Sequence, residues 1–115
     1  MSDLQCPADF YVLGPVTVPD SVALPVGRDD ARIGVVRCAP ARVELGRRLA
    51  ESMGCAVAVE ESLDGDVLVA LVDLADLHRG ESLVVLPAAG YPGRPADRWL
   101  RVRIDSDGTA VSELP

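Results

Sequence analysis

The stretch Ser82-Leu83-Val84-Val85-Leu86-Pro87 decides the fold. Its interior is apolar without alternation, which fits a strand buried on both faces rather than one with a wet side. Such a strand needs cover above and below, hence helices packed on a sheet. Just upstream, Val67, Leu68, Leu71, Val72, Leu74 and Ala75 recur at helical spacing and are the expected core positions of a helix. That helix is predicted to begin near Asp64 or Asp66, acids that suit the positive end of the dipole. His78 and Arg79 fill its last turn and Gly80 ends it.

Further toward the N-terminus, Cys55 to Val59 reads as a strand of small and branched residues. Before it, Pro40 opens a second helix in the position where its missing N–H costs nothing, and Gly54 stops that helix after Met53. One stripe of this helix holds Val43, Gly46, Ala50 and Met53, with Leu45 and Leu49 beside it. Glu44, Arg47, Arg48 and Glu51 fall within i,i+3 or i,i+4 reach on the other face. Ile33 to Arg37 is a further buried strand, and Asp9 to Gly14 is the first, stopped by Pro15. The intervening residues 16–31 carry Pro19, Pro25, Gly27 and Asp29-Asp30, which exclude a long helix and leave Val22 to Val26 as at most an edge strand.

Downstream of Pro87 a Gly/Pro loop runs to Pro95. Trp99 to Ile104 then alternates with arginines, Asp107-Gly108 is the expected turn, and Thr109 to Leu114 returns as a hairpin. The order of elements predicts one α/β domain spanning residues 1–115. Its sheet is expected to be mixed and mainly parallel, with helices packed on it and a C-terminal β-hairpin. Ligands of such sheets bind outside the carboxyl ends of the strands, here Gly14-Pro15, Arg37-Cys38-Ala39 and Leu86-Pro87.

Composition narrows the function classes. Hydrophobic residues make up 49% of the chain, yet Phe10, Tyr11, Tyr91 and Trp99 are its only aromatics, so Val, Leu and Ala must build the core. The net charge is −7 and every basic residue is Arg, with Arg47-Arg48 the longest basic cluster. That balance repels phosphate backbones and argues against a nucleic-acid partner. No apolar run approaches the roughly 18 residues of a membrane span, and Met1 to Asp9 lacks the features of a secretory signal, so a cytoplasmic location is expected. Cys6, Cys38 and Cys55 are an odd number at no metal-binding spacing, and His78 is the lone histidine. Neither a disulfide framework nor a metal or other cofactor is expected, and Cys38 and Cys55 read as small apolar packing groups.

Tyr11-Val12-Leu13-Gly14-Pro15-Val16, Arg37-Cys38-Ala39-Pro40-Ala41-Arg42 and His78 through Leu86 together resemble the histidine phosphatase (phosphoglycerate-mutase-like) superfamily, in particular its short bacterial branch. The segment from Leu49 through Leu63 and the terminal hairpin with Trp99 share the pattern, so the resemblance covers roughly residues 9–115. It implies a reduced phosphoglycerate-mutase-like fold. It also implies a pocket where a histidine ending the first strand is phosphorylated, an arginine near a helix start clamps phosphate, and a second histidine ends a later strand. This chain has Pro15 and Pro87 at the two histidine positions. Proline offers no nucleophile and no ionisable group, so the family's phosphohistidine chemistry is excluded on this alignment. The family's helix between its first two strands is replaced by residues 16–31.

Three functions follow. The first is a non-catalytic pseudoenzyme that serves as a protein-interaction module or accessory subunit, within a homo-oligomer or a larger complex. Its contact surfaces would be residues 16–28 and the 87–98 loop with Tyr91 and Arg98. The second is a phosphate- or phosphometabolite-binding sensor using Arg37, Arg42 and Arg94, with Arg98 near the vacated pocket. The third is a hydrolase by another route, with Cys38 as nucleophile at a strand end before a helix. Adjacent carboxylates such as Glu60-Glu61 read as a solvated cluster, and Gly90-Tyr91-Pro92-Gly93 lacks the helix and lysine of a phosphate loop.

Overall fold

A computed structural model describes residues 7–14, 33–94 and 98–114. Pro15, Cys6, Asp29-Asp30 and the expected contact segment 16–28 lie outside the described residues, as does the expected edge strand at Val22 to Val26. The central stretch becomes strand β4 (Ser82–Leu86). It pairs in parallel with β1 (Ala8–Leu13) on one side and with β2 (Ile33–Cys38) on the other. Strand β3 (Ala56–Val59) flanks β2 in parallel. Strand β5 (Trp99–Asp105) runs antiparallel to β1, and β6 (Gly108–Glu113) antiparallel to β5. The sheet order is β3-β2-β4-β1-β5-β6. It is a mixed sheet whose first four strands are parallel, closed by a C-terminal hairpin.

Two helices cover it, α1 (Val43–Met53) and α2 (Val67–Leu77). The step from β2 to β3 and the step from β3 to β4 run in opposite directions across the sheet, so crossovers of one hand put their helices on opposite faces. The core divides accordingly. Leu83 and Val85 pack with Phe10, Val12 and Val102 under α2, while Val84 and Leu86 pack with Leu13, Val36 and Cys38 under α1. The apolar run of β4 is thus explained by burial on both sides.

Several boundaries differ from the sequence expectation. Pro40–Arg42 is a 3-10 turn, and the α-helix begins only at Val43. Helix α2 starts at Val67 because Asp66 caps it, its carboxylate accepting from the N–H groups of Leu68 and Val69; Glu61–Asp64 is a separate 3-10 turn. Leu68 and Val72, expected in the core, are exposed at 42% and 49%. The inward face is Val67, Ala70, Leu71, Leu74 and Ala75. The helix is apolar nearly all round, so periodicity alone did not mark which side meets the sheet. Strand β3 starts one residue later than expected, at Ala56.

The hairpin turn is shifted as well. Asp105 pairs with Gly108, leaving Ser106 and Asp107 at the tip instead of Asp107-Gly108. The Asp105 carboxylate accepts from the N–H groups of Asp107 and Gly108 at 2.8 and 3.1 Å, a side-chain turn that sets the register. Among the described residues no helix is long and apolar enough to cross a membrane.

Candidate functional site

The carboxyl ends of the parallel strands meet at one edge, and Arg42 sits among them. The chain leaves β2 at Cys38, turns through Ala39 and the Pro40–Arg42 turn, and so delivers the Arg42 side chain toward β4 and β1. Its Nη1 donates to the carbonyl of Leu13, at the end of β1, at 2.6 Å. The same nitrogen donates to the carbonyl of Pro87, just past β4, at 3.0 Å. Pro87 and Gly14 are buried beside it. Arg42 and Pro87 are therefore brought together, with the residue before Gly14-Pro15 as the third member.

The backbone draws the same edge closed. Ala39 N–H donates to Leu86 O at 2.9 Å, Glu60 N–H to Cys38 O at 2.8 Å, and Ala88 N–H to Leu63 O at 3.0 Å. These bonds engage the N–H groups of Ala39, Glu60 and Ala88, donors that could otherwise face a ligand at the strand ends. Arg42 is half-buried, and loss of water lowers its pKa while the nearby Cys38 thiol acts the other way.

The other predicted arginines are engaged elsewhere. Arg37 stands in β2 and forms an ion pair with Glu60 at 3.0 Å, both side chains about a quarter exposed. Glu60 is thus a partner of Arg37 as well as a member of the expected solvated pair with Glu61. Arg94 and Arg98 approach one carboxylate, Glu113 at the end of β6, at 3.9 and 3.7 Å. Tyr91 is partly buried against the core under α2. It lines a groove of about 270 Å³ with Leu68, Val72, Ile104 and Thr109.

Cys38 is fully buried. Burial pushes its thiol pKa up, and the Arg42 charge only partly offsets this. A nucleophile at a helix start would need a lowered pKa, but desolvation prevails because Cys38 lies beneath the helix rather than before an open N-terminus. A Cβ at Gly46 of α1 would come within 2.9 Å of Cys38 Sγ, so the thiol is a packing surface for the helix. Cys55 is half-buried just ahead of β3. His78 caps the end of α2, and its Nδ1 lies 2.9 Å from Glu81 Oε2, at the opposite edge of the sheet from Arg42. Among the described residues no group of three or more His, Cys, Asp or Glu side chains has the arrangement of a metal site.

One feature was not anticipated from the sequence. Asp9 on β1 accepts from Arg103 Nε and Nη2 at 2.9 and 3.3 Å, and Arg101 Nε lies 3.5 Å away. Asp9 and Arg103 are directly opposite across the β1–β5 ladder, a pairing invisible until the strands are set in register. Comparison with family models, with curated proteins and with solved structures finds no match to the chain.

Proposed function

We propose that this chain is a non-catalytic, histidine-phosphatase-like domain that works as a protein-interaction module or accessory subunit. The observation that carries the reading is the pair of hydrogen bonds from Arg42 Nη1 to Leu13 O and Pro87 O. The resemblance requires the first strand end, the phosphate-clamping arginine and the fourth strand end to converge. Convergence of Leu13, Arg42 and Pro87 supports that alignment. The same bonds turn the guanidinium onto backbone carbonyls, and Pro87, which the resemblance sets at a histidine position, is buried. A scaffold with its crevice drawn shut acts through its surface, and the exposed Leu68, Val69 and Val72 beside Tyr91 provide one. The reduced phosphoglycerate-mutase-like fold, the bacterial source and the cytoplasmic location belong to the same proposal.

The test is an assay of the purified chain on generic phosphomonoesters. Hydrolysis at the buffer rate, unchanged in Arg42→Ala, is expected. Turnover that drops in Arg42→Ala overturns the reading.

A phosphate- or phosphometabolite-binding sensor is the second reading. It draws support from Arg42 standing at the start of α1, whose first turn has no side-chain cap, with Glu44 in that turn offsetting part of the positive potential. Thermal shift with phosphate and sugar phosphates distinguishes the two. Stabilisation that Arg42→Ala abolishes favours the sensor, and none at millimolar ligand removes it.

A further inference from the structure

The geometry points to a two-fold dimer of this chain, formed by antiparallel pairing of β6 with β6 of a second copy. This names a partner for the interaction role proposed above and rests on that reading for its biological purpose, though not for its geometry.

Among the described residues, strand β6 forms one edge of the sheet and the four-residue β3 the other. The β5–β6 ladder runs from Leu100–Glu113 to Asp105–Gly108 with no break in register. Gly108 closes the two-residue turn and Leu114 N–H donates to Trp99 O at 2.8 Å, so even-numbered positions bond to β5. The N–H and C=O groups of Thr109, Val111 and Glu113 therefore point away from the sheet. Strand β6 has no proline, lysine or bulge, and Glu113 at its end is its one charged side chain. Antiparallel pairing about Val111 satisfies all three residues, with Val111 opposite its own copy and Thr109 opposite Glu113.

Charge selects this orientation. The start of β6 carries the acidic tip, Asp105 and exposed Asp107. Its end carries Arg94 and Arg98 on either side of the Glu113 carboxylate, so the described basic side chains of the hairpin's open end stand there and not at the tip. An antiparallel pair sets each basic end against the acidic tip of the other copy, at both ends of the interface. A parallel pair aligns like with like. Self-complementarity of one surface patch is the condition for a closed two-fold dimer. Val111 and Thr109 also lie on the sheet face under α2, where Thr109 lines the apolar groove beside Leu68 and Val72. Pairing continues the sheet on that same face.

The experiment is sedimentation equilibrium on the full chain and four variants. The wild type is expected at twice 12.1 kDa. Val111→Pro removes an outward N–H without touching the ladder to β5 and is expected to be monomeric, with an unchanged far-UV spectrum. Asp107→Arg and Arg98→Glu each weaken the dimer by roughly tenfold, since symmetry counts every contact twice. The combined Asp107→Arg, Arg98→Glu chain recovers wild-type affinity. A monomeric wild type, or a dimer indifferent to the charge reversals, overturns the proposal; should Val111→Pro misfold, the charge variants decide alone. A monomer that hydrolyses nothing refutes the dimer and leaves the silent-domain reading standing, whereas a dimer with turnover does the reverse.

Discussion

Arg42 bridges the carboxyl ends of the paired strands β1 and β4, so its loss is felt at both. Arg42→Ala leaves two carbonyls short of a charged donor and is expected to cost about 2 kcal/mol in urea unfolding. Arg42→Lys recovers only part, since an ammonium lacks the planar reach of the guanidinium. Cys38 makes a different prediction. Burial raises its folded pKa above the unfolded value, so the folded state holds the proton more tightly. Stability is then full below the ordinary thiol range near roughly pH 8.5 and falls as pH rises through it. Cys38→Ser is expected to flatten that alkaline loss, and alkylating reagents should modify Cys38 only as the chain unfolds. The resemblance drew attention to Arg42 and Pro87 from the sequence alone. That Arg42 donates to carbonyls was hidden, because those acceptors belong to residues 29 and 45 positions away.

At the scale of the element, α1 approaches β2 so closely that Gly46 lies against Cys38 Sγ. Gly46→Ala crowds both Cys38 and Val57 and is expected to cost about 1–3 kcal/mol, even though alanine is the better helix former. Shortening Cys38 to alanine in the same chain should recover part of the loss, a coupling that a double-mutant cycle of thermal or urea unfolding reads directly. Helix α2 depends on the Asp66 cap, and Asp66→Ala should lower stability by about 1 kcal/mol in the same assay. The helices were legible because Gly54 and Asp66 cap them, although Pro40 opens a 3-10 turn ahead of the first. The second ends at Leu77, before the expected last turn of His78 and Arg79 and the expected stop at Gly80. Strand β4 was legible because its run has no polar side. The inward face of α2 was not, since Leu68, Val69 and Val72 are as apolar as the residues that pack. The hairpin tip was misplaced by one residue because a carboxylate, Asp105, took the role usually left to a glycine in the turn.

Across the whole molecule, β4 serves both layers, with Leu83 and Val85 on one face and Val84 and Leu86 on the other. Damage to either layer therefore reaches the other through a shared strand. Phe10→Ala is expected to remove about 3–5 kcal/mol, a large part of the stability of a domain this size. Far-UV circular dichroism and Trp99 fluorescence should then lose structure in one transition at a lower midpoint. Alternation and turn residues made the α/β class and the terminal hairpin readable. The strand order was not, because the patterns of β1, β2 and β4 say that each is buried but not which neighbour buries it.

The placement of β4 also governs when this protein can take shape. Strands β1 and β2 are not hydrogen-bonded neighbours; each pairs with the strand that lies between them, more than forty residues later in the chain. A ribosome making this polypeptide releases two apolar segments long before their common partner is synthesised. Until Leu86 clears the exit tunnel β1 has no native mate and β2 has only β3, and the growing chain must be kept from finding a wrong one.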